Sequence, residues 1–168
     1  MMQALRFAVS ALVLAGAFSP ARADTLVVLV RHGEKVDESR NAELSPTGRA
    51  RARALAAMLK DAGIEAVYST EFARTRATGE PTAALLSKPV EIYDGDGLEA
   101  FARTLRSRGG RSLVVGHSDT TPELVRLLGG DPGSPIASDE YDRLYLLTLS
   151  VEGKASTTLL RFPSGAAK

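Results

Sequence analysis

Two apolar runs that end in histidine constrain this chain more than any other feature. Leu26-Val-Val-Leu-Val30 leads straight into Arg31 and His32, and Ser112-Leu-Val-Val-Gly116 leads straight into His117. These are the chain's two histidines. Short continuous runs of branched apolar residues are the pattern of strands buried on both faces, which occur in parallel sheets covered by helices. In such sheets ligands bind beyond the carboxyl ends of the strands.

The segments between the runs support that arrangement. The pattern predicts a strand over 25–30 and a helix from Ser45 to about Lys60, with Ser45 as N-cap and Pro46 at the first helical position. Ala50, Ala54, Ala57 and Met58 form its apolar stripe with Leu55 and Leu59 beside them, while Arg49, Arg51, Arg53 and Lys60 spread outward. Strands follow at 64–69, 89–93 and 112–116. Helices are expected at 75–87, interrupted near Gly79 and Pro81, then at 98–107 and 121–128. A closing pair of strands spans 141–150 and 155–162. Alternation of this kind reads as a three-layer α/β/α sandwich with a mainly parallel central sheet, in a single domain over residues 24–168.

Residues 1–23 read differently. Arg6 precedes an apolar core from about Phe7 to Phe18, and Ala21-Arg22-Ala23 has a small-x-small cleavage pattern. That is the form of a cleaved signal peptide, too short in its apolar part to span a bilayer. The mature domain is therefore expected in the periplasm or outside the cell, with no stable membrane insertion. Cleavage after Ala23 removes two arginines and no acid, taking the net charge of +1 to −1. Such a balance excludes the dense basic face of a nucleic-acid binder. Cysteine is absent, which excludes thiol catalysis and thiolate metal sites.

A third strand, Ala66-Val-Tyr-Ser69, empties into Thr70-Glu-Phe-Ala-Arg-Thr-Arg76. Three strand ends thus deliver Arg31, His32, His117 and either Arg74 or Arg76 to one edge of the sheet. Arg31-His-Gly-Glu34 after the first strand, Tyr68-Ser-Thr-Glu-Phe-Ala-Arg-Thr-Arg-Ala-Thr78 after the second, and Val114-Val-Gly-His-Ser118 before a helix resemble, in this order, the histidine phosphatase superfamily. The likeness runs from Thr25 to about Leu149.

The resemblance implies that His32 is a nucleophile forming a phosphohistidine, which divides one hard displacement into two easier ones. A transferring phosphoryl group spreads charge over three oxygens, so positioned cations carry much of the catalysis. Arg31, Arg74 and His117 are the expected cations, with Arg74 favoured over Arg76 by the family pattern. Planar guanidinium forks suit paired phosphate oxygens. Gly33 is expected to let the backbone pass close to phosphate, and Ser118 to contact it at the N-terminus of the following helix.

The general acid is open. Asp119 leads, with Glu99 and Asp96 as rivals; Asp94 and Asp96 also look like turn formers around Gly95. Glu34 reads as a loop-orienting residue or a partner of Lys35 or an arginine. The expected ligand is a phosphorylated small molecule or envelope component, with neither metal nor cofactor. Alternatives are a phosphate-binding module without turnover and a phosphomutase of the same family. A two-histidine metal site fits poorly, since zinc takes three or four ligands and two arginines would repel the ion. Neither substrate nor oligomeric state is legible.

Overall fold

The computed structural model describes residues 24–164. In chain order the elements are β1 (Thr25–Arg31), α1 (Pro46–Leu59), β2 (Ala66–Ser69), α2 (Ala73–Leu85), β3 (Val90–Ile92), α3 (Leu98–Arg108), β4 (Arg111–Gly116), α4 (Thr120–Leu127), β5 (Arg143–Leu149) and β6 (Ala155–Arg161). They form one six-stranded sheet ordered β3-β2-β4-β1-β5-β6. β3, β2, β4 and β1 pair in parallel, and β5 and β6 close the sheet as an antiparallel hairpin. The segment 1–23, with its expected signal peptide, lies outside the described residues. Among the described residues no helix is long and apolar enough to cross a membrane.

The central strands alternate between two apolar layers because successive side chains point to opposite faces. Val28, Val30, Leu113 and Val115 pack with Leu55 and Leu59 of α1 and Ala83 of α2. Val27, Leu29 and Val114 pack on the other side with Phe101 and Leu105 of α3 and Leu124 and Val125 of α4. Each fully buried valine or leucine contributes about 1.5–3 kcal/mol relative to exposure. The result is the three-layer sandwich that the alternating pattern predicts.

Two expectations about the helices are corrected. Helix α2 runs without a break through Gly79 and Pro81 and starts at Ala73. Gly79 packs against the sheet: a Cβ there would lie 2.9 Å from Val67 Cγ1, so its missing side chain sets the helix–sheet distance. In α1 the buried face is Gly48, Arg51, Ala52, Leu55, Ala56 and Leu59, and Met58 is 46% exposed. Arg51 does not spread outward. It is 8% exposed, forms a paired ion bridge with both carboxylate oxygens of Glu34, and donates to the Phe162 carbonyl. A buried guanidinium is tolerated because its donors are matched.

The exit of β1 crosses the first turn of α1 at two glycines. A Cβ on Gly33 would lie 2.9 Å from the Gly48 carbonyl oxygen, and one on Gly48 would lie 2.3 Å from the Glu34 carbonyl oxygen. The Ser45 N–H donates to that Glu34 carbonyl at 2.8 Å, locking the crossing. Backbone cannot yield here as a flexible side chain would. Replacement Gly48→Ala is expected to lower the unfolding free energy by about 3 kcal/mol, read from urea midpoints.

Candidate active site

Parallel pairing of β1 with β4 places Arg31 opposite Gly116, and the next residue on each strand is a histidine. The His32 N–H continues the ladder to the Gly116 carbonyl at 3.0 Å. The two imidazole centroids are 5.4 Å apart, edge to face. The helices leaving these strands pack on opposite faces, α1 with one apolar layer and α4 with the other, so β1 and β4 flank a switch point where a crevice opens. That crevice is a cleft of about 950 Å³, and Arg31, His32, Arg74, His117, Ser118 and Asp119 all line it.

His32 is 4% exposed, and its Nδ1 lies 2.7 Å from the Gly33 carbonyl oxygen. A carbonyl only accepts, so Nδ1 carries the proton and Nε2 keeps a lone pair. Burial pushes the imidazole down to about 3, and the neighbouring His117, Arg31 and Arg74 act in the same direction. Neutral pH therefore finds it uncharged and nucleophilic.

Arg31 is 7% exposed and clasped on one side: its Nη1 donates to the Ala137 and Glu140 carbonyls at 2.8 and 2.9 Å, and its guanidinium carbon lies 4.1 Å from the centroid of the Tyr141 ring. Because α2 begins at Ala73, Arg74 stands in its first turn. It donates to the Arg40 carbonyl at 2.8 Å and lies over the Phe72 ring at 4.6 Å. Each guanidinium keeps a buried Nε without a hydrogen-bond partner. Two fixed cations on one cleft suit an anionic ligand. His117 is lowered to about 4, first by burial and then by Arg74.

The remaining sequence-based candidates divide. Asp119 sits on the cleft as N-cap of α4, its Oδ1 accepting from the Thr120 N–H. Ser118 lines the cleft beside it. Asp96 also lines it, and its N–H donates to Asp94 Oδ1 in the expected turn. Glu99 lies in the first turn of α3 and is not among the residues that line the cleft. Glu34 is committed to Arg51. Gly33 is not among the cleft-lining residues; its N–H donates to Thr78 Oγ1 at 3.0 Å, and a Cβ there would meet Gly48. Arg76 is an exposed residue on α2. Among the described residues no group of histidine and carboxylate side chains is placed to hold a metal ion.

Two site residues were missed in the sequence. Thr70 directly follows β2, as the histidines follow their strands, and its hydroxyl lies 2.9 Å from His117 Nε2. The strand-end rule could have found it. Tyr141 packs on Arg31 from the segment before β5, the neighbour of β1 in the sheet, and no local signal marks it.

The family model described as histidine phosphatase superfamily (branch 1) matches residues 27–95. Among curated proteins, no sequence matches this chain. Among solved structures, the protein histidine phosphatase SixA complexed with tungstate is similar at TM-score 0.64 and 23% identity, over 83% of this chain and 97% of its own. A phosphoserine phosphatase from Entamoeba histolytica, in complex with phosphoserine, gives 0.60 and 17% over 84% and 98%. A mycobacterial glucosyl-3-phosphoglycerate phosphatase gives 0.60 and 14% over 84% and 99%. The segment 27–95 thus resembles the histidine phosphatase superfamily, and the solved structures share the fold of this chain.

Burial of a neutral imidazole links stability to pH. From the ordinary value of 6.5 down to about 3, the unfolded chain binds a proton at residue 32 that the native site refuses. Stability is whole above pH 6.5 and falls as the pH drops through that window, by about 1.4 kcal/mol per pH unit from this group. Urea titrations at pH 7, 6 and 5 should show a shallower decline for His32→Gln than for the unaltered protein.

Proposed function

We propose that this protein hydrolyses phosphomonoesters through a phosphohistidine on His32, without a metal ion. The observation that carries the reading is the unprotonated Nε2 of a buried, neutral His32, beside two guanidiniums that line the same cleft. The phosphoryl group would lie between Arg31, Arg74 and His117, with Ser118 at the N-terminus of α4. In the first step the His32 Nε2 lone pair bonds to phosphorus as the ester oxygen departs. In the second, water takes the phosphoryl group and His32 regains its lone pair. The SixA of similar fold is complexed with tungstate, a tetrahedral oxyanion, which supports an oxyanion ligand for this fold.

Asp119 is proposed to protonate the departing oxygen and then activate water, with Asp96 as the alternative on the same cleft. Asp119 spends Oδ1 on capping α4, which leaves Oδ2 for this work. The same capping favours the second reading, a phosphate-binding module that does not turn over. We also propose export to the periplasm or beyond, so that the substrate is a phosphorylated small molecule or an envelope component.

Purified protein lacking residues 1–23 should release phosphate from an aryl phosphate in the presence of chelator, and His32→Ala should lower kcat by at least ~10³-fold. Quenching in base should trap an acid-labile phosphoprotein that the variant does not form. Binding of phosphate with neither turnover nor trapped phosphoprotein would select the binding module instead.

The acid is tested by the leaving group. Asp119→Asn should cost about 10²-fold or more on an alkyl phosphate and far less on a nitrophenyl phosphate, whose leaving oxygen needs no proton. Equal losses on both substrates would remove Asp119 from the role.

A further inference from the structure

His117 is held in one orientation from several sides. Its N–H donates to Thr120 Oγ1 at 2.9 Å, and its carbonyl accepts from the Thr121 N–H at 3.1 Å. The ring stands edge-on between Phe72, at 5.3 Å between centroids, and His32. On one edge Nδ1 faces Arg74 Nη2 at 3.5 Å. On the other, Nε2 meets Thr70 Oγ1, which in turn lies 2.8 Å from Thr75 Oγ1. Both threonines are buried, Thr75 completely.

The protons of this chain of groups can be placed by elimination. A guanidinium has only donors, so the nitrogen facing Arg74 must be the unprotonated one, and Nε2 carries the hydrogen. Nε2–H then donates to Thr70 Oγ1. Thr70 passes its own hydroxyl hydrogen to Thr75 Oγ1, and Thr75 donates to the Phe72 carbonyl at 2.8 Å, with the Thr70 carbonyl next nearest at 3.2 Å. The reverse polarity sets an N–H of His117 against an N–H of Arg74. It also turns the Thr75 hydroxyl hydrogen away from both carbonyls, which keep the Arg76 N–H and the Ser69 hydroxyl as donors, so the contact with Arg74 is what decides the polarity.

We propose that Thr70, braced by Thr75, is a positioning residue that fixes the tautomer of His117, so that Nδ1 is the nitrogen presented with Arg74 to the ligand cleft. The proposal rests on the reading of His117 as a phosphoryl-contacting group. In that role Nδ1 accepts a proton from solvent or from a substrate monoanion, the imidazole becomes imidazolium, and its new N–H donates to a phosphoryl oxygen. Nε2–H stays on Thr70 throughout. Arg74 and Arg31 oppose this protonation, whereas Asp119 and the incoming anion favour it.

The chain has two histidines, so a ¹⁵N-histidine sample without an affinity tag gives two ring systems in a two-bond ¹H–¹⁵N correlation spectrum. At pH 7.5 His117 should appear as a single Nε2–H tautomer. Thr70→Val should convert it to a mixture and lower kcat/KM on an aryl phosphate roughly 10- to 100-fold, while Thr70→Ser should keep both the tautomer and activity within about threefold. A His117 protonated on Nδ1 in the unaltered protein, or a spectrum unchanged by Thr70→Val, overturns the proposal. The unaltered protein's spectrum decides even if Thr70→Val fails to fold. An Nε2–H tautomer in a protein without turnover would overturn the phosphatase reading and leave the role of Thr70 standing.

Discussion

The parallel register between β1 and β4 is the constraint on which the site depends. Arg31 opposite Gly116 means that the next residue on each strand, His32 and His117, leaves the sheet at the same height. One residue of slip would send one imidazole to the other face, because side chains alternate along a strand. The slip is prevented by the core. Val28, Val30, Leu113 and Val115 fill one layer while Val27, Leu29 and Val114 fill the other, so a shifted register would empty both.

Burial then sets the electrostatics. Two guanidiniums and two imidazoles in one cleft would repel strongly if all were charged, and the structure resolves this by keeping both histidines neutral, at about 3 and about 4. The two remaining positive charges repel each other, and negative charge placed between them relieves that repulsion. The guanidiniums are kept in place by groups that do not neutralise them: the carbonyls of Ala137, Glu140 and Arg40 and the rings of Tyr141 and Phe72. Carboxylates in those places would have neutralised the guanidiniums.

The wall that holds Arg31 is itself built with care for charge. Arg143 donates to Ser134, Pro135 and both oxygens of Glu140, and Arg161 joins Glu140 and Asp142. Ion pairing, chiefly with Arg143, holds the Glu140 carboxyl at about 2, so this cluster stays charged across the working range. Segment 131–142 is thereby tied to the closing hairpin and offers its carbonyls to Arg31. The hairpin thus supports the site without contributing a side chain to its chemistry.

The chain's linear order made much of this legible. Continuous apolar runs, their spacing with helical segments, and histidines placed where strands end are local patterns, and each has one dominant structural solution. They sufficed for the sandwich, the parallel centre of the sheet, the closing hairpin, and the edge at which Arg31, His32, His117 and an arginine after β2 would meet. Tertiary structure alone decided what depends on partners distant in the chain. Arg51 is buried because Glu34 and the Phe162 carbonyl meet it, Gly33 is a glycine because Gly48 crosses it, and α2 continues through Pro81 because packing outweighs its lost hydrogen bond. Thr70 became part of the site only when β2 and β4 lay side by side. Periodicity reports which face a residue occupies; it carries no information on which remote donor or acceptor will be waiting there.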